Sequence, residues 1–289
     1  MIETNFDKLP ITKVTEAVKP KFIQIYNQKY DPFCLENAIA TGGKGAVFYE
    51  EQEALFNAEI KNGPYAKMLV KAKNENLANA FLSLAINGLS LEKTFTTECY
   101  LECRSVNVGT REQPVYISLP KISITGYGEV KMRVRAGQIA GIENPVVVYD
   151  CDDLRVGEKD GHKYVNYEKC FVKPGKARII ACYMKILLNS GGFDYFVLDL
   201  DGIKRLAGYS AKFNYSNKPN ALYVSNDGQI DTGFLIAKTI KHAFKGYPKL
   251  SIGDGAVYQS DDDMLPDNSP REEKKPDGVV IEQEDDTPF

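Results

Sequence analysis

The last predicted helix carries regularly spaced cations. Lys238, Lys241 and Lys245 recur every three or four residues, so an α-helix places them on one face and the apolar residues of the segment on the opposite face. No acid occurs in residues 232–247, whereas a solvated helix usually mixes both signs to form i,i+4 pairs. This spacing favours contact with a polyanion, and a plain solvated face is the alternative.

A second basic segment, residues 126–137, places three cations within five residues, next to a tyrosine between glycines. The cations are Lys131, Arg133 and Arg135, and the tyrosine is Tyr127. Alternation of apolar and basic residues favours a strand, whereas a helix would stack Lys131 on Arg135. Either structure puts cations beside an aromatic ring, which suits the phosphates and bases of single-stranded nucleic acid. A basic surface strand without a ligand is the alternative.

Other reactive side chains are sparse. The chain has no G-x4-G-K-[ST] phosphate loop. Only Cys99 and Cys103 are close together among the six cysteines, and we interpret all six as small buried hydrophobes. The two histidines, His162 and His242, are far apart in sequence. We therefore expect no cofactor, no metal site and no enzymatic activity.

Charge divides the chain into a basic body and an acidic tail. The 289 residues carry a net charge of −3, but residues 259–289 contain 11 acidic and 3 basic residues, a net charge of −8. The remainder is therefore at +5. The tail is rich in proline and lacks apolar periodicity, so we expect it to be disordered. A basic body predicts a polyanionic ligand, and an acidic tail predicts a basic partner.

No feature indicates a membrane protein or a secreted one. The chain has no run of about 18 apolar residues, the length that a membrane-spanning helix requires. Its first residues have neither the basic nor the apolar region of a secretory signal. We therefore expect a cytoplasmic protein without a membrane partner.

The predicted elements give an α+β fold, with a central, mainly antiparallel sheet flanked by helices. The first 45 residues give no strong signal, and residues 41–45 are expected to form a flexible loop. Helices are predicted at 46–60, 74–87, 201–208 and 231–245, and strands at 98–104, 115–124, 142–150, 176–188 and 193–200, the last two as a hairpin around residues 189–192. Asn74 or Asn76 is expected to cap the second helix, Gly88 to end it, and Asp201 to cap the third.

Several short motifs follow one another in a defined order along the chain. They are 84–89 (LAINGL), 100–101 (YL), 126–128 (GYG), 135–139 (RAGQI), 146–152 (VVVYDCD) and 237–245 (AKTIKHAFK). This order resembles the RecT family of phage single-strand annealing proteins. The chain departs from the family pattern in reading Gly-Tyr-Gly-Glu for Gly-Tyr-Arg-Gly, Arg-Ala-Gly for Arg-Ser-Gly, and in having no Trp.

This resemblance implies ATP-independent annealing of complementary DNA strands. It further implies binding of single-stranded DNA and the annealed duplex, ring or helical homo-oligomers, and partnership with a phage-type exonuclease. It implies a single-strand annealing domain at 1–258 with a helical part at 1–73, a helix at 126–135, and an acidic tail at 259–289. DNA contacts carry over to Tyr127, Lys131, Arg135, Lys238, Lys241 and Lys245, and Arg133 is added from its charge alone.

The last eight residues resemble the tip of bacterial single-stranded DNA-binding proteins, an acidic run that closes in Pro-Phe. That resemblance implies host proteins that read such tips as partners of Asp285, Asp286, Pro288 and Phe289. The alternatives are a solubilising tail and a tail that competes with DNA for the basic body.

Two other functions stay open from the residues. One is a simple single-stranded nucleic-acid-binding module, which coats one strand without annealing two. The other is a metal-dependent nuclease using Asp194, Asp199 and Asp201, although Asp201 is also explained as a helix cap.

Overall fold

The chain contains both helices and antiparallel strands, which confirms the predicted α+β class. The computed structural model describes residues 6, 9–110, 112–172, 175, 177–213 and 217–250. These form two compact units, one running to Ile124 and the other covering Thr125–Leu250. The expected domain at 1–258 spans both units. The predicted disorder of the tail and the four predicted tip residues lie outside the described residues.

The first unit consists of helices followed by a long β-hairpin. In the hairpin, β1 and β2 pair antiparallel from Cys99 opposite Ile124 to Asn107 opposite Tyr116. The elements are α1 (Val14–Ala17), α2 (Lys19–Tyr30), α3 (Gly43–Asn62), α4 (Ala66–Leu69), α5 (Asn74–Asn87), β1 (Cys99–Asn107) and β2 (Tyr116–Ile124).

Helix α2 has no strong local signal in the sequence, because aromatic packing from distant residues stabilises it. Phe22 is fully buried, and its ring centroid lies 4.6 Å from that of Phe81. The expected flexible loop at 41–45 is wrong for its last residues, which begin α3. Glycine at position 45 lets α3 pack closely on Asn27 of α2. A Cβ atom there would lie 2.7 Å from Asn27 Oδ1, to which the Gly45 N–H donates.

The bounds predicted for α5 are confirmed, and so is its end at Gly88, which is left-handed with φ of 62°. The predicted cap is wrong, because neither Asn74 nor Asn76 is the N-cap residue. Lys73 holds that position without a side-chain bond. Asn74 instead donates its side-chain N–H to Phe6 O and Leu9 O, at 2.9 and 2.8 Å.

The second unit is built around strand β7, which pairs antiparallel with β8 on one edge and with β3 and β4 on the other. Strands β5 and β6 form a separate hairpin. The elements are α6 (Gly126–Arg135), β3 (Gly141–Ile142), β4 (Val146–Tyr149), β5 (Asp153–Lys159), β6 (His162–Glu168), β7 (Ile179–Leu187), β8 (Phe193–Asp199), α7 (Leu200–Phe213) and α8 (Thr232–Ala243).

The predicted strand pairs of this unit are partly confirmed. The hairpin of β7 and β8 closes at Leu187 opposite Phe193, as predicted. The strand predicted at 142–150 is divided into β3 and β4, with Pro145, which has no N–H to donate, between them. The β5–β6 hairpin is an addition to the prediction, although its turn, Asp160-Gly161, is a typical two-residue hairpin signal.

Aspartate side chains cap the N-termini of α7 and α8. Asp199 rather than Asp201 caps α7, since its Oδ1 accepts the Gly202 N–H at 2.7 Å, and the helix continues beyond the predicted end at residue 208. Asp231, where the last helix was predicted to begin, caps α8: its Oδ1 accepts the Phe234 N–H at 2.8 Å. No helix among the described residues is long and apolar enough to span a membrane.

Candidate nucleic-acid interface

Helix α8 has the amphipathic arrangement that its sequence predicts. Leu235, Ile240 and Ala243 are buried, and the helix packs on the sheet at β7 and β8. Lys238 and Lys241 are half-buried on the other side of the helix. The Lys238 ammonium lies 5.2 Å from the centroid of the Phe234 ring. Lys245, in the short turn after the helix, is exposed.

Residues 126–135 form helix α6, as the family resemblance implied, rather than the strand that alternation favoured. Thr125 caps the helix, because its Oγ1 accepts the Gly128 N–H at 3.1 Å. Lys131 is half-buried and Arg135 is exposed. Tyr127 is half-buried and packs against the apolar cluster around Phe244, so part of its ring has a structural role.

Helices α6 and α8 pack directly on one another and run in the same direction. A Cβ atom on Gly126, at the start of α6, would lie 3.0 Å from Ile240 Cβ and 3.1 Å from Ala237 O. Near the end of α6, the Arg133 guanidinium lies 4.7 Å from the centroid of the Phe244 ring. Glycine at 126 is therefore a requirement of close helix packing, and it brings two distant basic segments onto adjacent helices.

Arg133 differs from the other predicted contact residues, because it is buried. Only 4% of the residue is exposed. Its Nε and Nη2 atoms donate to Glu129 Oε1 at 3.1 and 2.7 Å, and Nη1 donates to Pro248 O at 3.3 Å. Its charge is used to hold α6 to the segment that follows α8, so we exclude it from the exposed interface.

The exposed charges of this helix pair are all positive. Glu129 is the only acid in residues 126–142, and it is 2% exposed and paired with Arg133. Residues 232–250 contain no acid. The half-buried and exposed cations are Lys131, Arg135, Lys238, Lys241, Lys245 and Lys249. We call these six residues the cationic face, and Lys249 is its one member that the sequence analysis did not select.

A cleft of about 380 Å³ adjoins the end of α8 and shares Lys245 with the cationic face. Its other charged lining residues include Lys163 from β6 and Arg205 from α7. The aromatic rings of Tyr195 and Tyr247 also line it. Cations together with aromatic rings are the side chains that bind phosphates and stack on bases.

The single acid of the cleft lining, Asp194, is already neutralised. Lys163 Nζ lies 3.1 Å from Asp194 Oδ1, and the Tyr247 hydroxyl donates to Asp194 Oδ2 at 3.1 Å. Burial, followed by the charge of Asp194 and this hydrogen bond, raises the pKa of Tyr247 to about 12. Tyr247 is therefore a neutral donor at physiological pH, and the cleft retains a positive character.

The cleft residues come from separate elements, so no local pattern in the sequence predicts that they lie together. Lys163 follows the Asp160-Gly161 turn, and Arg205 lies one turn into α7. A local signal existed only for Tyr247, which comes directly before the proline expected to end the last helix.

The structure does not gather the aspartates considered for a nuclease. Asp194 is paired with Lys163, Asp199 caps α7, and Asp201 points to solvent with its side chain 93% exposed. Within the described ranges, no group of three or more His, Cys, Asp or Glu side chains could hold a metal ion.

Comparison with models of known protein families finds no match, and comparison with curated proteins finds none either.

Proposed function

We propose that the protein binds single-stranded DNA on the cationic face and in the adjoining cleft, and anneals complementary strands without ATP. The observation that carries the proposal is the one-sided charge of the α6–α8 pair. Its single acid is buried against Arg133, which leaves only cations toward solvent. Adjacent cations repel each other, and a phosphate backbone relieves that repulsion.

The arrangement is suited to a backbone contact rather than to sequence reading. The cationic face supplies charges for phosphates, while Tyr195 and Tyr247 supply rings on which bases of any sequence stack. Tyr127 is half-buried: one part of its ring packs on the core, and the other part is exposed and can contact a base. Binding of this kind is strongly dependent on salt, because each neutralised phosphate releases counterions.

Annealing follows from the same chemistry. A strand held through its phosphates keeps its base-pairing edges accessible, and the protein's cations reduce repulsion from the incoming strand. The order of motifs shared with the RecT family supports this step. It also supports, as parts of the proposal, annealed duplex as product, ring or helical homo-oligomers and a phage-type exonuclease partner.

The second resemblance supports a proposal for the tail. Asp285, Asp286, Pro288 and Phe289 would bind host proteins that read the tips of single-stranded DNA-binding proteins. A synthetic peptide ending in DDTPF should displace the protein from such a host protein. Failure of the peptide to compete would contradict this part of the proposal and leave DNA binding untouched.

The binding test compares two lysines. Lys241→Ala on the cationic face should reduce the slope of log affinity against log salt by about 0.7, the contribution of one phosphate contact to single strands. Lys61→Ala, which changes an exposed lysine at the end of α3, should leave the slope unchanged. Equal slopes for the wild type and Lys241→Ala would contradict the assigned face.

The order of DNA addition separates annealing from simple coating. A single-strand annealing protein should hold two complementary oligonucleotides added in sequence more stably than a preformed duplex of the same strands. A coating module should release the paired strands. Intact single strands after incubation with Mg²⁺ would exclude the nuclease alternative.

A further inference from the structure

Cys151 and Cys170 lie on the two chain segments at the base of the β5–β6 hairpin. The outermost pair of that hairpin is Asp153 opposite Glu168, with Cys151 in the turn two residues before β5 and Cys170 two residues after β6. The Cys170 N–H donates to Asp152 Oδ1 at 2.9 Å, which ties the two chain segments together beyond the last strand pair. The two thiols are free and half-buried, and the Cys170 thiol donates to Val172 O at 3.2 Å.

Hydrogen bonds to Asp152 hold the segments that carry the two cysteines together. Asp152 Oδ2 accepts the Tyr149 N–H at 2.9 Å and the Tyr167 hydroxyl at 3.2 Å, so one carboxylate joins the turn before β5 to strand β6. A disulfide requires Cα atoms about 4.4–6.8 Å apart. The bond from the Cys170 N–H to Asp152, the neighbour of Cys151, holds the two cysteine-bearing segments side by side.

The other four cysteines lack this combination of proximity and access. Cys99, Cys103 and Cys182 are buried, and burial raises the pKa of Cys103 and of Cys182 to about 11. Cys34 is half-buried but lies in the first unit, where its thiol donates to Leu35 O at 3.7 Å. The expectation that all six cysteines are buried hydrophobes is therefore confirmed for three and wrong for three.

We propose that Cys151 and Cys170 form a redox modification site, which a hydroperoxide converts to an intramolecular disulfide. One thiolate attacks the peroxide, the O–O bond breaks, and a sulfenic acid and a molecule of alcohol or water form. The second thiolate attacks the sulfenic sulfur, the S–S bond forms, the S–O bond breaks, and hydroxide takes up a proton to leave as water. The two sulfurs are oxidised together by two electrons, and the peroxide is reduced by two.

The rate of this reaction should rise with pH. Burial, the neighbouring Cys170 thiol and the charge of Asp152 raise the pKa of the Cys151 thiol from its ordinary value. Because the thiolate is the nucleophile, a raised pKa slows attack at neutral pH and makes oxidation faster in mildly alkaline solution.

The test is peroxide treatment of the native full-length protein, followed by thiol titration and peptide mass spectrometry. We expect a loss of two of the six thiols, a mass lower by two hydrogens, and a crosslink between the peptides that contain Cys151 and Cys170. Cys151→Ser and Cys170→Ser should each lose the crosslink. Cys34→Ser, the matched change of another half-buried thiol, should retain it.

Two controls keep the result specific. The melting temperature of each reduced variant should equal that of the reduced wild type, so that a missing crosslink does not reflect unfolding. Oxidation in denaturant should give mixed pairings. Six intact thiols in the treated native protein, a crosslink that uses other cysteines, or a disulfide-linked dimer would overturn the proposal.

Discussion

The buried pair of Arg133 and Glu129 gives a sharp test of the α6–α8 packing. The two side chains are 5% and 2% exposed, and two guanidinium N–H groups donate to one carboxylate oxygen. Arg133→Met keeps the apolar stem but leaves the Glu129 carboxylate buried without this cation. Removing one partner of a buried ion pair destabilises a protein by about 3–5 kcal/mol. The lost bond to Pro248 O and the lost contact with the Phe244 ring act in the same direction.

The assay is urea unfolding followed by circular dichroism. Arg135→Met is the matched control, since it makes the same change two residues further along α6 at an exposed position. We expect it to alter the free energy of unfolding by about 1 kcal/mol or less, as exposed charges do.

DNA binding should depend on the other arginine. Arg135→Met should lower the slope of log affinity against log salt by about 0.7, and Arg133→Met should leave that slope unchanged.

A double variant separates the buried charge from other effects of the substitution. Arg133→Met combined with Glu129→Leu should recover most of the lost stability, because both buried charges are removed together. If Arg133→Met unfolds at the wild-type urea concentration and lowers the salt slope, the buried pair is refuted. Arg133 would then be the phosphate contact that the sequence analysis predicted.

Four further substitutions test the packing, the cap and the cleft. Gly126→Ala should destabilise the second unit by about 1–3 kcal/mol, because its Cβ would lie 3.0 Å from Ile240 Cβ; an unchanged melting temperature would contradict the close packing. Asp199→Ala should destabilise by about 0.5–2 kcal/mol through loss of the α7 cap, and Asp201→Ala should have little effect; the reverse order in urea unfolding would restore the predicted cap. Because the pKa of Tyr247 is raised from 10.0 to about 12, its contribution to stability is complete below pH 10 and is lost as the pH rises through 12. Tyr247→Phe should therefore reduce the fall in unfolding free energy over that interval, and an identical fall in both proteins would contradict the raised pKa.

The parts of the fold that the sequence predicted well depend on local signals. Helix α5 combines one apolar face with a terminal Gly88, and the hairpin of β7 and β8 surrounds a turn of asparagine, serine and glycines. Both signals lie within the element that they specify. Helix α2 has no comparable signal, because its stability comes from Phe22 stacked on Phe81, almost sixty residues further along the chain.

In the candidate site, too, local patterns predicted single helices but not the contacts between distant segments. The spacing of Lys238 and Lys241 predicted a cationic helix face, but periodicity alone could not show that α6 lies beside it. Arg133 and Glu129 stand four residues apart, a spacing from which an ion pair on α6 could have been inferred. Their burial depends on Phe244 and Pro248, more than 100 residues later, and so could not be read from the segment itself.

The most direct test of the central claim is the rate at which two complementary fluorescent oligonucleotides pair when added in sequence, without nucleotide. We predict that the protein accelerates pairing at low salt, that Lys241→Glu slows it, and that Lys61→Glu leaves it at the wild-type rate. A rate equal to that without protein would contradict annealing. A Lys241→Glu variant that anneals as fast as the wild type would contradict the cationic face as the DNA-binding surface.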